Sequence, residues 1–294
     1  MAAEKQPIGG QAVHEGVMMR GDDRWSVAVR LPDGSIDVMV APLPHLGGGW
    51  TKVPVARGVV ALAESMTLGV RALTWSAARV GVAPADRKPP TKLWPTVLLA
   101  VAIVISVFVM VPAAVAGALT SSPSTFHAVE IGMRLSLFLG YLAAIGRLEI
   151  VRRLFQYHGA EHKVVAAHES GGPLTPEDAA RFSTRHPRCG TSFMLVVMVV
   201  AAATHVLFGT PGWVDLFASR LLVVPLVAGV SYEILRFTGR NLDRWWGRAA
   251  AAPGMALQAL TTGEPDADQL EVAIAALEAA LSTEPLVAPA VAVA

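Results

Sequence analysis

Long apolar runs alternate with short basic stretches along this chain, and the pattern predicts a mainly α-helical, polytopic membrane protein with about four spans. Residues 93–119 carry no charge and exceed the roughly 20 residues that cross a hydrocarbon core. Pro112 within that run predicts a kink, which a spanning helix tolerates when its neighbours re-satisfy the freed backbone. The second run, 131–150, is punctuated by Arg134, Arg147 and Glu149. The third, 191–208, holds Thr204 and His205, and the fourth, 214–235, has Arg220 near one end and Glu233 near the other.

The region before the first span has a different period. Residues 25–30 and 35–40 read as two short strands around Leu31-Pro32-Asp33-Gly34, a β-hairpin. Residues 57–80 are helical in pattern, with Glu64 and Arg71 on one face. That helix lies in the membrane interface or packs on the bundle, with a re-entrant or fifth spanning helix as the alternative. Residues 151–168 read as a continuation of the second helix, ended by Gly171-Gly172-Pro173. Thr175-Pro176-Glu177-Asp178 then has the cap, proline and acids of a new helix start, with an end near His186-Pro187. Trp245 and Trp246 suit a headgroup region, 266–282 predicts a soluble amphipathic helix, and a patternless tail follows from 284. There is no internal repeat. The organisation is a cytoplasmic region 1–92, a bundle 93–235 with a loop 151–190, and cytoplasmic helices 236–294.

Composition supports the membrane reading: 53% of residues are hydrophobic and 16% charged. The charges are placed asymmetrically. Residues 120–130 and 209–213 contain no lysine or arginine, whereas 151–190 holds Arg152, Arg153, Lys163, Arg181, Arg185 and Arg188, and 236–248 holds four arginines. The positive-inside rule then puts both termini and the long loop in the cytoplasm, with the lipid bilayer as partner. A net charge of +1 gives no reason to expect nucleic acid. Residues 1–10 lack the apolar core of a signal peptide. One cysteine, Cys189, excludes an intramolecular disulfide. The small residues Ala113-Ala114-Val115-Ala116-Gly117-Ala118 permit close helix packing within the chain or in a homo-oligomer.

Candidate chemistry concentrates in His158-Gly159-Ala160-Glu161-His162. Two histidines four apart share a helix face, with Glu161 alongside to bind an ion or move a proton. The spacing is that of the H-x-x-E-H inverted zincins, a likeness of spacing alone. His186 and Cys189 begin the third span and bring further ligand types to the same loop, and Glu233 offers a third-ligand carboxylate. Imidazole and carboxylate suit zinc, iron or manganese, and a thiolate tilts the choice to zinc. Glu161 is then general base, or Glu233 where Glu161 binds the metal. His205, deep in the third span, is either functional or an outer-interface residue. His45, Trp75 and His127 read as structural. A second string, Gly9-Gly10-Gln11-Ala12-Val13-His14-Glu15-Gly16-Val17-Met18-Met19-Arg20-Gly21, brackets His14, Glu15 and Arg20 with glycines that let backbone approach a ligand. Its other reading is a flexible leader.

These strings, with Tyr157-His158-Gly159-Ala160-Glu161-His162-Lys163, His186-Pro187-Arg188-Cys189-Gly190-Thr191-Ser192-Phe193, Ala228-Gly229-Val230-Ser231-Tyr232-Glu233 and the segment 253–262, together resemble the bacterial YqhQ-like family over nearly the whole chain. The resemblance implies a multi-pass protein of the bacterial inner membrane, of unknown function and often described as a metal-dependent enzyme. His14 stands where methionine is usual there, so Glu15 and Arg20 become that motif's catalytic candidates beside Glu161. The expectation is a divalent transition metal held by His158, His162 and a carboxylate. Its chemistry would be metal-assisted hydrolysis of a membrane-associated substrate, a lipid-linked phosphate or a peptide near the bilayer. The rivals are a transporter of a metal or small solute, and a non-catalytic assembly protein.

Overall fold

The computed structural model describes residues 8–44, 48–81, 93–208, 215, 218 and 222–283. Its N-terminal part is a four-stranded antiparallel sheet in chain order: β1 (Gly9–Val13), β2 (Gly16–Arg20), β3 (Arg24–Arg30) and β4 (Ile36–Pro42). The expected hairpin is β3–β4, closed by Gly34 at φ 86 and by the Asp33 carboxylate, which accepts from the Ser35 N–H at 3.0 Å. The glycine-rich string is no leader. It forms a second hairpin, β1–β2, turned by His14 and Glu15, with Glu15 held at φ 50.

Both faces of the sheet are covered. Trp25, Val27 and Val29 of β3 point to one side and meet Leu68 and Ala72 of α1 (Ala56–Arg79). Val17, Met19 and Ala28 point to the other and meet α5 (Glu149–Ser170) and the C-terminal helix α10 (Ala267–Leu281). Helix α1 is thus a sheet-packing helix with one side also against α8 (Val224–Gly239). Helix α10 starts with a reciprocal cap, Asp266 accepting from the Gln269 N–H and Gln269 from the Asp266 N–H. It contributes the fully buried Leu277. Leu277→Ala is expected to cost about 2–5 kcal/mol, visible as a lowered melting temperature in detergent.

Among the described residues three helical stretches are long and apolar enough to cross a membrane: Leu98–Leu119, Pro123–Ile145 and Gly190–Leu207. The first comprises α2 (Leu93–Ile105), a π-turn at Ser106–Met110 and α3 (Val111–Leu119). The interruption has a local cause. Pro112 has no N–H for the Phe108 carbonyl one α-turn back, and Arg134 Nε donates to that carbonyl instead, at 3.0 Å. The second stretch is α4 (Pro123–Ile145), which starts earlier than 131 because Pro123 opens it.

Helix α4 does not continue into residues 151–168: the chain turns at Gly146-Arg147-Leu148 and α5 starts afresh at Glu149. Helix α6 (Pro176–Ala180) has the expected Thr175 cap but lasts little more than one turn, ending well before His186. The third stretch lies in α7 (Gly190–Phe208). Arg220 and five other residues of the fourth expected span, 214–235, fall outside the described residues, as do His45 and the tail from 284; residues 224–235 of that span lie in α8. Helix α9 (Trp245–Leu257) and a 3-10 turn, Gln258–Leu260, follow, then α10.

Candidate metal centre

Helix α5 places His158 and His162 one turn apart with ring centroids 4.4 Å from each other. Gly159 between them is required by a neighbour: a Cβ there would lie 2.0 Å from the Gly263 carbonyl oxygen. That close approach, anchored by the Gly263 N–H on the Phe155 carbonyl at 2.7 Å, brings the Thr261 carbonyl to His158 Nδ1 at 2.8 Å. His162 Nδ1 meets the Thr184 carbonyl at 2.6 Å. A carbonyl only accepts, so each Nδ1 carries a proton, and a neutral ring in that tautomer keeps its lone pair on Nε2. Metal-bound histidines are oriented in the same way, the second nitrogen donating to a backbone carbonyl or a carboxylate.

His158 Nε2 faces Cys189, which directly precedes α7. Its Sγ is 3.3 Å from His158 Nε2 and receives the Thr191 N–H at 3.4 Å. One ligand atom each from His158, His162 and Cys189 lie within 4.8 Å of one another. Glu161 stands beside them, with Oε2 3.4 Å from His162 Nε2. That last contact sets a lone pair against a carboxylate oxygen, two acceptors at 6% and 2% exposure of their residues. A cation between them, or a second proton on the ring, removes the repulsion. The residues fit a divalent transition metal in number, type and orientation. β1 covers Glu161, because Gly10 has no side chain; a Cβ there would stand 2.7 Å from Glu161 Cγ.

The other candidates are drawn elsewhere. His186 flanks the cluster, its ring 5.7 Å from that of His162 and its Nε2 3.5 Å from Glu169. Burial holds the His186 imidazole below its usual range, against the pull of the Glu161 charge. Glu233 accepts from Arg57 Nε at 2.7 Å and Nη2 at 2.5 Å and from the Val55 N–H at 3.2 Å, so it clamps α1 to α8. Glu15 pairs with Arg153 and lies 3.4 Å from the Tyr157 hydroxyl, and Arg20 pairs with Glu64 at 2.6 Å. The structure therefore assembles His158, His162, Cys189 and Glu161. It gives Glu15, Arg20 and Glu233 partners of opposite charge on other elements.

Sequence reasoning did not single out Gln258. Its side chain is fully buried, accepts from the His186 N–H at 2.8 Å, and donates to the His186 carbonyl at 2.8 Å and to Ser192 Oγ at 3.0 Å. It ties the loop carrying Thr184 and Cys189 to the turn carrying Thr261. Gln258→Ala is expected to cost about 1–3 kcal/mol, because it takes the side-chain partner from the buried His186 N–H and carbonyl, visible as a lowered melting temperature in detergent.

A helical protein with three membrane-length apolar stretches, a sheet-and-helix body and a histidine–cysteine cluster between them is the class this geometry defines. The chain belongs to the family described as Protein of unknown function (DUF1385), whose model matches residues 53–283. It is also 35% identical over 307 residues to "Uncharacterized protein YqhQ" of Bacillus subtilis (strain 168), across 97% of this chain and 96% of that protein. No solved structure matches it.

Proposed function

We propose that this protein is a metal-dependent membrane enzyme whose centre, at the cytoplasmic face, hydrolyses a substrate held at the bilayer. The observation that carries the reading is the committed protonation of both rings. His158 and His162 have each spent Nδ1–H on a backbone carbonyl and turn Nε2 toward Cys189 and Glu161. His158, His162 and Cys189 would hold the ion, with zinc favoured by the two imidazoles and the thiolate. Such an ion supplies Lewis-acid activation of water, bringing its ionisation toward ~7. Thr261 and Thr184 orient the rings, Thr191 N–H steadies the sulfur, and Glu161 accepts the proton of the attacking water. Support for the membrane comes from the bundle's surface: Leu98, Leu99, Ile103, Val104, Val199 and Leu207 are all exposed on membrane-length helices. The basic residues of 151–190 support a centre on the cytoplasmic side.

One observation favours a second reading, a structural metal in a non-catalytic assembly protein: His162 is 2% and Cys189 5% exposed, and closed sites are the structural kind. The test is metal analysis of untagged protein in detergent, beside His158→Ala/His162→Ala and Glu161→Gln. Near-stoichiometric zinc, iron or manganese that the double variant loses supports the centre; no metal in wild type after reconstitution with each ion overturns it. If stripping the metal unfolds the protein, the structural reading gains. If the fold survives and Glu161→Gln keeps its ion, the enzyme reading stands and hydrolase substrates can be screened.

A further inference from the structure

The two helices that cover the sheet have opposite polarity. On α10 the charged Asp268, Glu271 and Glu278 are exposed while Leu270, Val272, Ile274 and Leu277 are buried, as expected where one face meets a core and the other meets water. Helix α1 reverses this. Its charged residues, Arg57, Glu64, Arg71 and Arg79, follow one another by seven, seven and eight positions and share one side. Val59, Ala63, Met66, Val70, Leu73 and Ala77 follow one another by three or four and form a second stripe. Each charged residue stands two positions from a member of that stripe, about 200° around the helix.

Packing decides which stripe points away from the body. Leu68 and Ala72 are buried against the sheet. Three of the four charges are held by partners on the body: Arg57 by Glu233, Glu64 by Arg20 and Arg79 by Asp37. The apolar stripe faces outward, with Met66 44% and Leu73 37% exposed. An uncharged stripe running almost the length of a helix, turned away from the sheet it covers, is a contact surface.

Two observations name what it contacts. The first is its position. The N-terminal end of α1 lies against α8, where a Cβ on Gly58 would stand 2.6 Å from Tyr232 Cβ and one on Gly229 2.4 Å from the Val55 carbonyl oxygen. Residues 224–235 of α8 belong to the fourth apolar run, and its Leu226, Ile234 and Phe237 are exposed. The stripe begins at Val59, next to the Gly58 contact, so it adjoins the apolar surface of the bundle. In the turn before α1, Trp50 is 66% exposed beside the exposed Lys52, an aromatic and a cation suited to headgroup level. The second observation is what flanks the stripe. Leu62, Thr67 and Thr74 carry no charge, whereas charges at such positions set the register of a partner helix. A bilayer has no register to read.

We propose that the outward face of α1 lies against the acyl chains at the surface of a phospholipid bilayer, so that the sheet is seated on the membrane with α10 on its far side. The helix lies in the surface and does not cross it, because its charged side stays under the sheet. The inference rests on the membrane reading above and is independent of the metal.

The test is photo-crosslinking of full-length protein in nanodiscs of phosphatidylcholine and phosphatidylglycerol. The benzophenone amino acid p-benzoylphenylalanine replaces Met66, Leu73, Leu99 or Glu278 singly, and intact mass is read after illumination. All four positions are exposed, so no replacement empties a core site. The Met66 and Leu73 proteins are expected to gain the mass of one phospholipid, as is the Leu99 protein from its membrane-length helix, and the Glu278 protein to gain none. A lipid adduct at Leu99 with none at Met66 or Leu73 overturns the proposal and leaves the membrane reading standing. A crosslinked dimer at Met66 or Leu73 in place of the adduct also overturns it, and makes the stripe a contact between copies. Absence of an adduct at Leu99 as well removes the membrane reading, and the proposal with it.

Discussion

Purified His158→Ala/His162→Ala protein is expected to contain essentially no transition metal, where the proposed function expects close to one ion per chain in the wild type. The single variants should each lose most of it, because removing one of three ligands leaves two donors and an unpaired Glu161 in a site almost closed to water. Cys189→Ser should retain some metal and shift preference from zinc toward manganese or iron, the thiolate being the soft ligand. Glu233→Gln and Glu15→Gln are the informative controls. Both carboxylates are engaged by arginines, Arg57 and Arg153, so their loss should change stability and leave metal content intact. Metal retained in the histidine double variant but lost in Glu233→Gln would move the centre to the end of α8. Inductively coupled plasma mass spectrometry on matched preparations reads all of these together.

Arg134→Ala is the substitution expected to damage the fold most. It removes the arginine of a buried pair with Glu130 and uncaps the Phe108 carbonyl at the Pro112 break, two losses at one site. Breaking a buried pair from one side costs about 3–5 kcal/mol. Glu130→Gln should cost less, because the amide oxygen still accepts from Arg134. Melting of both variants in the same detergent gives the comparison. Near-equal melting of Arg134→Ala and wild type would mean that the pair does not hold α4 to the π-turn.

The parts of this architecture legible in one dimension are those specified by local pattern. Residues 25–40 alternate around a Pro-Asp-Gly turn and form β3–β4 as expected, while 57–80 and 266–282 carry helical periods and become α1 and α10. Hairpin β1–β2 was hidden because β2 is sandwiched between helices: Gly16, Val17, Met18 and Met19 are all buried, so no alternation marks the strand. The role of α10 was misjudged for a related reason. Its apolar face looked like that of a solvent-washed amphipathic helix, but Ser26 and Ala28 are small enough to let it lie on the sheet, where Ser26 Oγ donates to the Ala276 carbonyl.

Sequence by itself determined the pairing of His158 with His162, because i and i+4 meet on any helix, and it marked the apolar stretches, because crossing hydrocarbon demands length and lack of charge. Tertiary structure alone decided which distant groups joined them. Glu15 and Glu233 carry the same carboxylate as Glu161, and Arg20 a guanidinium, yet arginine or glutamate partners far along the chain claimed them. The tautomers of both histidines rest on the Thr184 and Thr261 carbonyls, atoms that every residue possesses. A backbone acceptor leaves no trace in composition, so the orientation of the ligands comes from where the folded chain passes and not from which residue it carries there.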